Sequence, residues 1–206
     1  MTEALVAGLL AGYGIAMPVG AVATYLVALS ARTTPRTGAA AALGVAAADG
    51  LYALLAVLGG GTLTELLRPI AQPLRWASVA VLVLLALRTA WTAVRRYRAG
   101  LAPASGDSPP SPARAFLLLL GITVLNPTTV VYFSALVLGR TQTNTTAWAA
   151  AVFVLAAFLA SASWQLVLAT GGSLLGRVLT GPRGRLATAL ASAALITALA
   201  TGLAVS

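Results

Sequence analysis

The stretch GITVLNPTTVVYF, residues 121–133, places an asparagine and a proline in the middle of an apolar segment. Proline inside a helix removes a backbone hydrogen bond and clashes with the preceding turn, at a cost of about 3 kcal/mol or more. Burying the asparagine amide is also costly unless it is hydrogen-bonded. The pattern predicts a helix that is apolar enough for lipid and yet interrupted at Asn126 and Pro127.

The composition of the whole chain indicates lipid as the surrounding solvent. Of the 206 residues, 59% are apolar and 8% are charged, whereas a soluble domain carries roughly 25% charged residues. So little polar surface cannot cover a water-soluble globule. We therefore predict an all-α membrane protein whose residues 1–206 form a single polytopic domain.

Six apolar segments are long enough to cross a membrane. About 20 residues are needed, because a helix rises 1.5 Å per residue and the hydrocarbon core is about 30 Å thick. The predicted spans are residues 4–30, 38–60, 70–92, 115–138, 147–170 and 186–204. Short connections join them, the second at residues 61–69. The third connection, residues 95–114, is rich in Pro, Gly and Ser and reads as a flexible cytoplasmic linker.

The arginines predict the orientation of these spans. All 13 basic residues are arginine, and nine lie in the first, third and fifth connections against three in or next to the second and fourth: Arg68, Arg75 and Arg140. Under the positive-inside rule, the odd connections are cytoplasmic and both termini lie outside. Arg88 is not counted because it lies inside the third span, where it either snorkels to the interface or is a buried functional group. Arginine without lysine and heavy use of alanine are typical of a GC-rich bacterial genome, so the predicted location is the bacterial inner membrane.

Several classes of function are excluded by residue types. Cysteine and histidine are absent, which removes disulfides, Cys/His metal sites and histidine-based catalytic triads. The scattered hydroxyl groups provide neither a catalytic cluster nor a metal site, so we predict no enzyme and no cofactor. The arginines do not form the basic and aromatic face that nucleic-acid binding needs.

The first and fourth spans resemble each other. Aligning their prolines also matches glycines on one side and, with a three-residue insertion further along, two aromatic residues. The matched pairs are Pro18 with Pro127, Gly12 with Gly121, and Tyr52 with Trp164.

This match predicts two half-repeats, of about residues 1–94 and 114–206. With three spans each, the halves must lie in opposite orientations, which is the inverted repeat of many transporters. Pro18 and Pro127 would then break helices one and four at corresponding depths, and the freed backbone groups could bind a polar solute. Two simple proline kinks are the alternative.

Asp49 is the only acidic residue in the interior of a span. Such a residue costs about 2.5 to 3.5 kcal/mol to insert at the centre of a helix. It is either a proton or cation site or a carboxyl group that locks helix packing, and Arg88 is one potential partner. Gln165 and Trp164, in the fifth span, either line a cavity or only pack.

The chain resembles the LysE/RhtB family of amino-acid exporters at three stretches. These are AMPVGAVATYLVALSARTTPRTGAAAALGVAAADGLYALLAVLG, FLLLLGITVLNPTTVVYFSALVLG and FLASASWQLVLATGG. In the first, Pro18 and Gly20 match the Pro-Gly motif of helix one and Asp49 matches the acidic position. In the second, Asn126 and Pro127 match the Asn-Pro motif of helix four.

The chain also departs from that family. Ala21 stands where a second proline is common, and Gln165 stands where many members carry a second tryptophan. The resemblance implies export of amino acids or similar small polar metabolites, driven by the proton gradient. Its substrate is left open.

Two other functions are alternatives to amino-acid export: efflux of a cation, and a scaffold or helper subunit that transports nothing. A homo-oligomer is compatible with the sequence. The expected partners are the bilayer, a small polar solute and H⁺. The candidate binding or coupling residues are Asp49, Asn126, Pro18, Gly20, Pro127, Gln165, Tyr52 and Trp164.

Overall fold

The computed structural model describes residues 1–18, 20–98, 110–126, 129, 132, 146–178 and 182–205. The described residues contain six helices and no strand. The helices are α1 (Thr2–Ala16), α2 (Ala21–Ser30), α3 (Pro35–Arg98), α4 (Pro112–Val124), α5 (Ala147–Val178) and α6 (Pro182–Val205).

Up to three parts of the described chain qualify as membrane spans by length and composition. Two are Pro35–Leu58 within α3 and Ala147–Gly176 within α5, and the third is α1 together with α2, counted as one bent span. They correspond to the predicted spans two, five and one. The six-span count and the inverted repeat stay predictions.

Polar residues fix the first turns of three helices. The Thr37 amide donates to Thr34 Oγ1 at 3.2 Å, and the Arg114 amide donates to Ser111 Oγ at 3.3 Å. Each of these two caps is followed by a proline, which suits the first helical position because its missing N–H would be unpaired there. Thr146 caps α5 in the same way.

Helix one is interrupted where the sequence predicts it. Helix α1 ends at Ala16 and α2 begins at Ala21, with a bend of 76° between them. Pro18 lies in the bend, and Gly20 has extended backbone, with φ −100° and ψ −171°, before α2 starts. Since proline cannot donate the hydrogen bond that would continue α1, the helix stops here.

Helix four also stops short of its proline. The Leu125 amide donates to the Gly121 carbonyl at 3.0 Å, and Asn126 is no longer helical. The backbone is helical again at Thr129, whose amide donates to the Asn126 carbonyl at 3.2 Å. The interruption therefore brackets Pro127, which itself lies outside the described residues.

The predicted connection at residues 61–69 has helical backbone in the structure. The backbone is helical from Pro35 to Arg98, through Pro69 and Pro73. Leucine, glutamate and arginine, which fill much of this segment, are good helix formers. Their propensity favours a helix across the predicted connection, in spite of Pro69 and Pro73.

Helix α3 cannot be one straight rod, however. Ala42 and Leu82 would be about 60 Å apart in a straight helix, yet both belong to one buried cluster that also contains Leu26 of α2. The helix must therefore bend between its first part, residues 35–58, and its later part around Leu82.

Glycines set the packing of helix one on α5. A Cβ atom on Gly12 would lie 2.8 Å from the Ala160 Cβ and against the Ala157 carbonyl oxygen, so α1 packs on α5 at backbone distance. Further along, Gly172 of α5 packs against the backbone of Val27 in α2. Small residues allow such close approach between membrane helices. Because the residue numbers rise together, helix one and α5 run parallel.

The first part of α3 runs antiparallel to α5 and parallel to α4. Gly50 packs on Phe158, and Asp49 contacts Ser161, so residue numbers increase along α3 while they decrease along α5. Gly44 packs on the backbone of Phe116 in α4, and Tyr52 contacts Val124, so along this pair the residue numbers increase in the same direction. Since α3 and α4 start in the same direction, the chain must return between them, which requires the bend in α3.

Candidate functional site

Asp49 lies at the centre of the bundle and is bonded to α5. It is 2% exposed, and its Oδ2 accepts a hydrogen bond of 2.7 Å from Ser161 Oγ, which is fully buried. Each of the two residues is 14 positions from the first residue of its helix, or about 21 Å along the axis. A depth of about 21 Å from either helix start places the pair near the middle of a bilayer.

Asp49 forms no ion pair within the described part of the chain. Arg88, which the sequence offered as a potential partner, is exposed. That exposure agrees with an arginine that reaches the interface, and not with a buried counter-ion. The hydrogen bond that the Asp49 carboxyl group receives from another helix comes from Ser161.

Gln165 lies one turn beyond Ser161 on α5. It is 4% exposed, and its Oε1 has no hydrogen-bond partner among the described residues. The neighbouring Trp164 Nε1 is also buried without a partner there. Buried polar atoms are nearly always hydrogen-bonded, to protein, water or ligand. The two atoms are a buried acceptor and a buried donor, and because consecutive residues of a helix point in different directions, each faces its own surroundings.

The break in helix one lies at the level of Gln165. Helix one and α5 are parallel, with Gly12 beside Ala160 and Val27 beside Gly172. Pro18 and Gly20 therefore lie at a level between those of residues 160 and 172 of α5. Gly20 provides no side-chain cap for α2, so the first amide groups of α2 are available to a ligand.

Tyr52 connects the same face of α3 to the end of α4. It lies three residues from Asp49, and therefore on the same side of the helix. Its hydroxyl donates to the carbonyl oxygen of Val124, the last residue of α4, at 2.6 Å. Asn126 follows and is half-buried. Its backbone N–H donates to the Thr123 carbonyl oxygen at 3.0 Å. Helix α3 thus contacts α5 through Asp49 and the interruption of helix four through Tyr52.

The structure places three of the predicted residues, Asp49, Tyr52 and Gln165, at levels within about one helical turn of the bond between Asp49 and Ser161. Pro18 and Gly20 are exposed at the break in helix one. Pro127 lies outside the described residues. The roles of all these residues in binding or coupling stay predictions.

The sequence analysis did not identify Ser161 as the partner of Asp49. The one available signal was its spacing, since Ser161 lies four residues before Gln165 and so on the same helix face. The signal is weak, because serine in a membrane helix often bonds only to its own backbone.

A groove of about 210 Å³ lies between the start of α3 and the second half of α5. Its walls include Pro35, Ala39, Ala169 and Thr170. It does not include Asp49, Ser161 or Gln165. The groove is therefore beside the candidate site, on the side of the first connection.

Comparison with known proteins gives one finding. The family model of the LysE type translocator matches residues 14–206, which include both interruptions and all of α3 and α5. No match was found among curated proteins or among solved structures. A match over most of the chain, on a helical protein with apolar helices of membrane-spanning length, means that the protein belongs to the LysE-type family of membrane translocators.

Proposed function

We propose that this translocator is a secondary transporter that exports amino acids or related small polar metabolites across the bacterial inner membrane, with Asp49 exchanging the coupling proton. One observation carries the proposal: a buried carboxyl group bonded to Ser161 at the centre of two apolar helices, one turn from the level of a helix break. Intramembrane carboxyl groups usually mark ion or substrate paths.

The surroundings of Asp49 suit a group that gains and loses a proton. Ser161 can donate a hydrogen bond to the ionised carboxylate or accept one from the protonated acid. Of the described side chains, no cation holds the carboxyl group in its charged form. A structural carboxylate would be expected to have such a partner, because an unpaired buried charge is costly.

The break in helix one supports an amino acid as the solute. Helix N-termini attract anions, so the amide groups of α2 could bind a carboxylate. The unpaired Gln165 Oε1 is an acceptor at the same level, suited to an ammonium group. An amino acid carries both groups a few ångströms apart.

The test is solute efflux from proteoliposomes with an imposed pH gradient, normalised to folded protein. Asp49→Asn keeps the shape of the side chain but cannot exchange a proton. We expect gradient-driven efflux to fall by about tenfold or more, which corresponds to at least about 1.4 kcal/mol. Exchange of solute for solute should survive. Wild-type gradient-driven rates in Asp49→Asn would remove this residue from the mechanism.

Two serines of α5 provide a matched pair of controls. Ser161 bonds to Asp49, whereas Ser163 is exposed and bonds to Tyr13 and to its own helix. Ser161→Ala should slow gradient-driven efflux, and Ser163→Ala should not. Equal rates in the two variants would show that the bond to Asp49 has no part in transport. A screen of amino acids and analogues in the same vesicles would identify the solute.

The proposed orientation has both termini outside the cytoplasm, on the strength of nine arginines against three in the connections. A reporter enzyme that is active only outside should work when fused after Ser206 and fail when fused near Ser105. The reverse pattern would contradict the orientation. It would not affect the assignment of Asp49.

A further inference from the structure

The unpaired polar atoms of the bundle lie on one side of Asp49. In the described residues, three buried side-chain atoms lack a hydrogen-bond partner: Ser30 Oγ, Trp164 Nε1 and Gln165 Oε1. All three lie between the level of Asp49 and the first connection, residues 31–34. On the other side of Asp49, the hydroxyl of Tyr52 is bonded to a backbone carbonyl oxygen.

Ser30 occupies a contact that two glycines create. It is 1% exposed. A Cβ atom on Gly38 of α3 would lie 2.8 Å from Ser30 Oγ, and one on Gly172 of α5 would lie 3.1 Å from Ser30 Cβ. Three helices therefore meet around this hydroxyl, and their described residues provide no partner for it. An apolar residue would avoid the cost of an unsatisfied hydroxyl, about 1–3 kcal/mol.

Between Asp49 and the first connection, polar groups occur at several successive levels along α5. Gln165 is about 6 Å from Ser161 along the axis, and Gly172, which marks the level of Ser30, is about 10 Å further. Beyond Ser30, Thr37 and Thr34 bond to each other at 3.0 Å beside the first connection. The groove of about 210 Å³ reaches Ala169, which lies between Gln165 and Gly172.

We propose that water enters the bundle from the side of the first connection and reaches Asp49 along Ser30 and Gln165. A buried water needs two to four polar partners. Ser30 Oγ and Gln165 Oε1 each offer one such atom, and neighbouring waters and backbone carbonyl groups supply the others. The ligand of this path is water, and the proton that it delivers is the one assigned to Asp49. The use of the proton rests on the proposed function, whereas the path itself does not.

The chain contains no cysteine, so a single introduced thiol can report where water reaches. Ser30→Cys is nearly isosteric. Ala48→Cys is the matched control, because Ala48 is fully buried and lies one turn from Gly44, on the face that packs against α4. Each full-length variant is reconstituted in vesicles and treated from one side at a time with a membrane-impermeant methanethiosulfonate reagent.

We expect Ser30→Cys to react from the side of the first connection about tenfold faster than Ala48→Cys, because thiol reactivity follows exposure to water and the thiolate it allows. It should not react from the opposite side. Protection equal to that of Ala48→Cys, or reaction from the opposite side alone, would overturn the proposal. Gln165→Cys repeats the test one step deeper and decides the matter if Ser30→Cys does not fold.

The labelling experiment tests the water path, and the efflux experiment tests the coupling role of Asp49, so either proposal can be contradicted without the other. If Ser30→Cys reacts as expected while Asp49→Asn retains gradient-driven efflux, the water path is supported and the coupling role of Asp49 is contradicted. If Ser30→Cys and Gln165→Cys are protected while Asp49→Asn loses coupling, Asp49 keeps its role and this path is wrong.

Discussion

The two interrupted helices of this protein are supported in different ways. Helix one is held at backbone distance, since Gly12 packs on the carbonyl group of Ala157 and Gly172 packs on that of Val27. Helix α4 also meets a backbone closely at Phe116, against Gly44, but its end beside the interruption is held by a side chain, the hydroxyl of Tyr52. Gly121 of α4, which the sequence aligns with Gly12, is loosely surrounded, because a Cβ atom there would meet no described atom within 4 Å.

This difference indicates which part of the molecule is the frame. Filling a space between two backbones forces the helices apart, typically at about 1–3 kcal/mol, whereas a single hydrogen bond contributes about 1 kcal/mol. The close contacts make α1, α2 and α5 one packed unit, the frame, whereas the end of α4 beside its interruption is held by a hydrogen bond. The matching prolines predict a shared interruption, but they do not predict shared support.

The largest effect is expected from alanine at the two aligned glycines. Gly12→Ala should lower the free energy of unfolding by about 1–3 kcal/mol, because the methyl group meets the backbone of α5. Gly121→Ala should raise it by about 0.5–1 kcal/mol, because alanine favours the helix and space is open there. Thermal unfolding in detergent measures both. Shifts of the same sign would show that the two helices are supported alike.

A smaller effect is expected at two adjacent glycines of α5. A Cβ atom on Gly172 would lie 2.5 Å from the Val27 carbonyl oxygen, whereas one on Gly171 would meet no atom of the described residues within 4 Å. Gly172→Ala should therefore lower the free energy of unfolding by about 1–2 kcal/mol, and Gly171→Ala should leave it unchanged or raise it. Helix α2 has ten residues and can shift more easily than α1.

The same thermal measurement tests this second pair. If Gly171→Ala destabilises the protein as much as Gly172→Ala, α2 does not rest on α5. The frame would then consist of α1 and α5 alone.

Much of the fold follows from local rules that act on the sequence. Pro18 lacks the N–H that would continue the helix and Gly20 follows it in extended backbone, so the break in helix one is predictable. Proline alone is not sufficient, because α3 continues through Pro69 and Pro73. The course of α3 is not predictable in this way, because good helix formers and loop-forming residues occur together between residues 61 and 69. There the choice depends on packing between segments that are distant in the chain.

The candidate site follows the same division. Asp49 is conspicuous in the sequence because it is the sole acid inside a span. Its partner Ser161 is 112 residues away and is one of many hydroxyl groups in apolar helices. Ser30 is harder still to identify from the sequence. Its hydroxyl lacks a hydrogen-bond partner among the described residues because glycines from two other helices pack against it.

The smallest effect is expected from removing a tyrosine hydroxyl. The Tyr52 hydroxyl donates at 2.6 Å to the Val124 carbonyl oxygen in a partly buried place. Tyr13 donates at 3.0 Å to Ser163, in an exposed one. Tyr52→Phe should lower the free energy of unfolding by about 1 kcal/mol, and Tyr13→Phe by less, because an exposed group regains other partners. If thermal unfolding shows no loss in Tyr52→Phe beyond that in Tyr13→Phe, contacts other than this bond hold the end of α4, and the contrast between the two interrupted helices disappears.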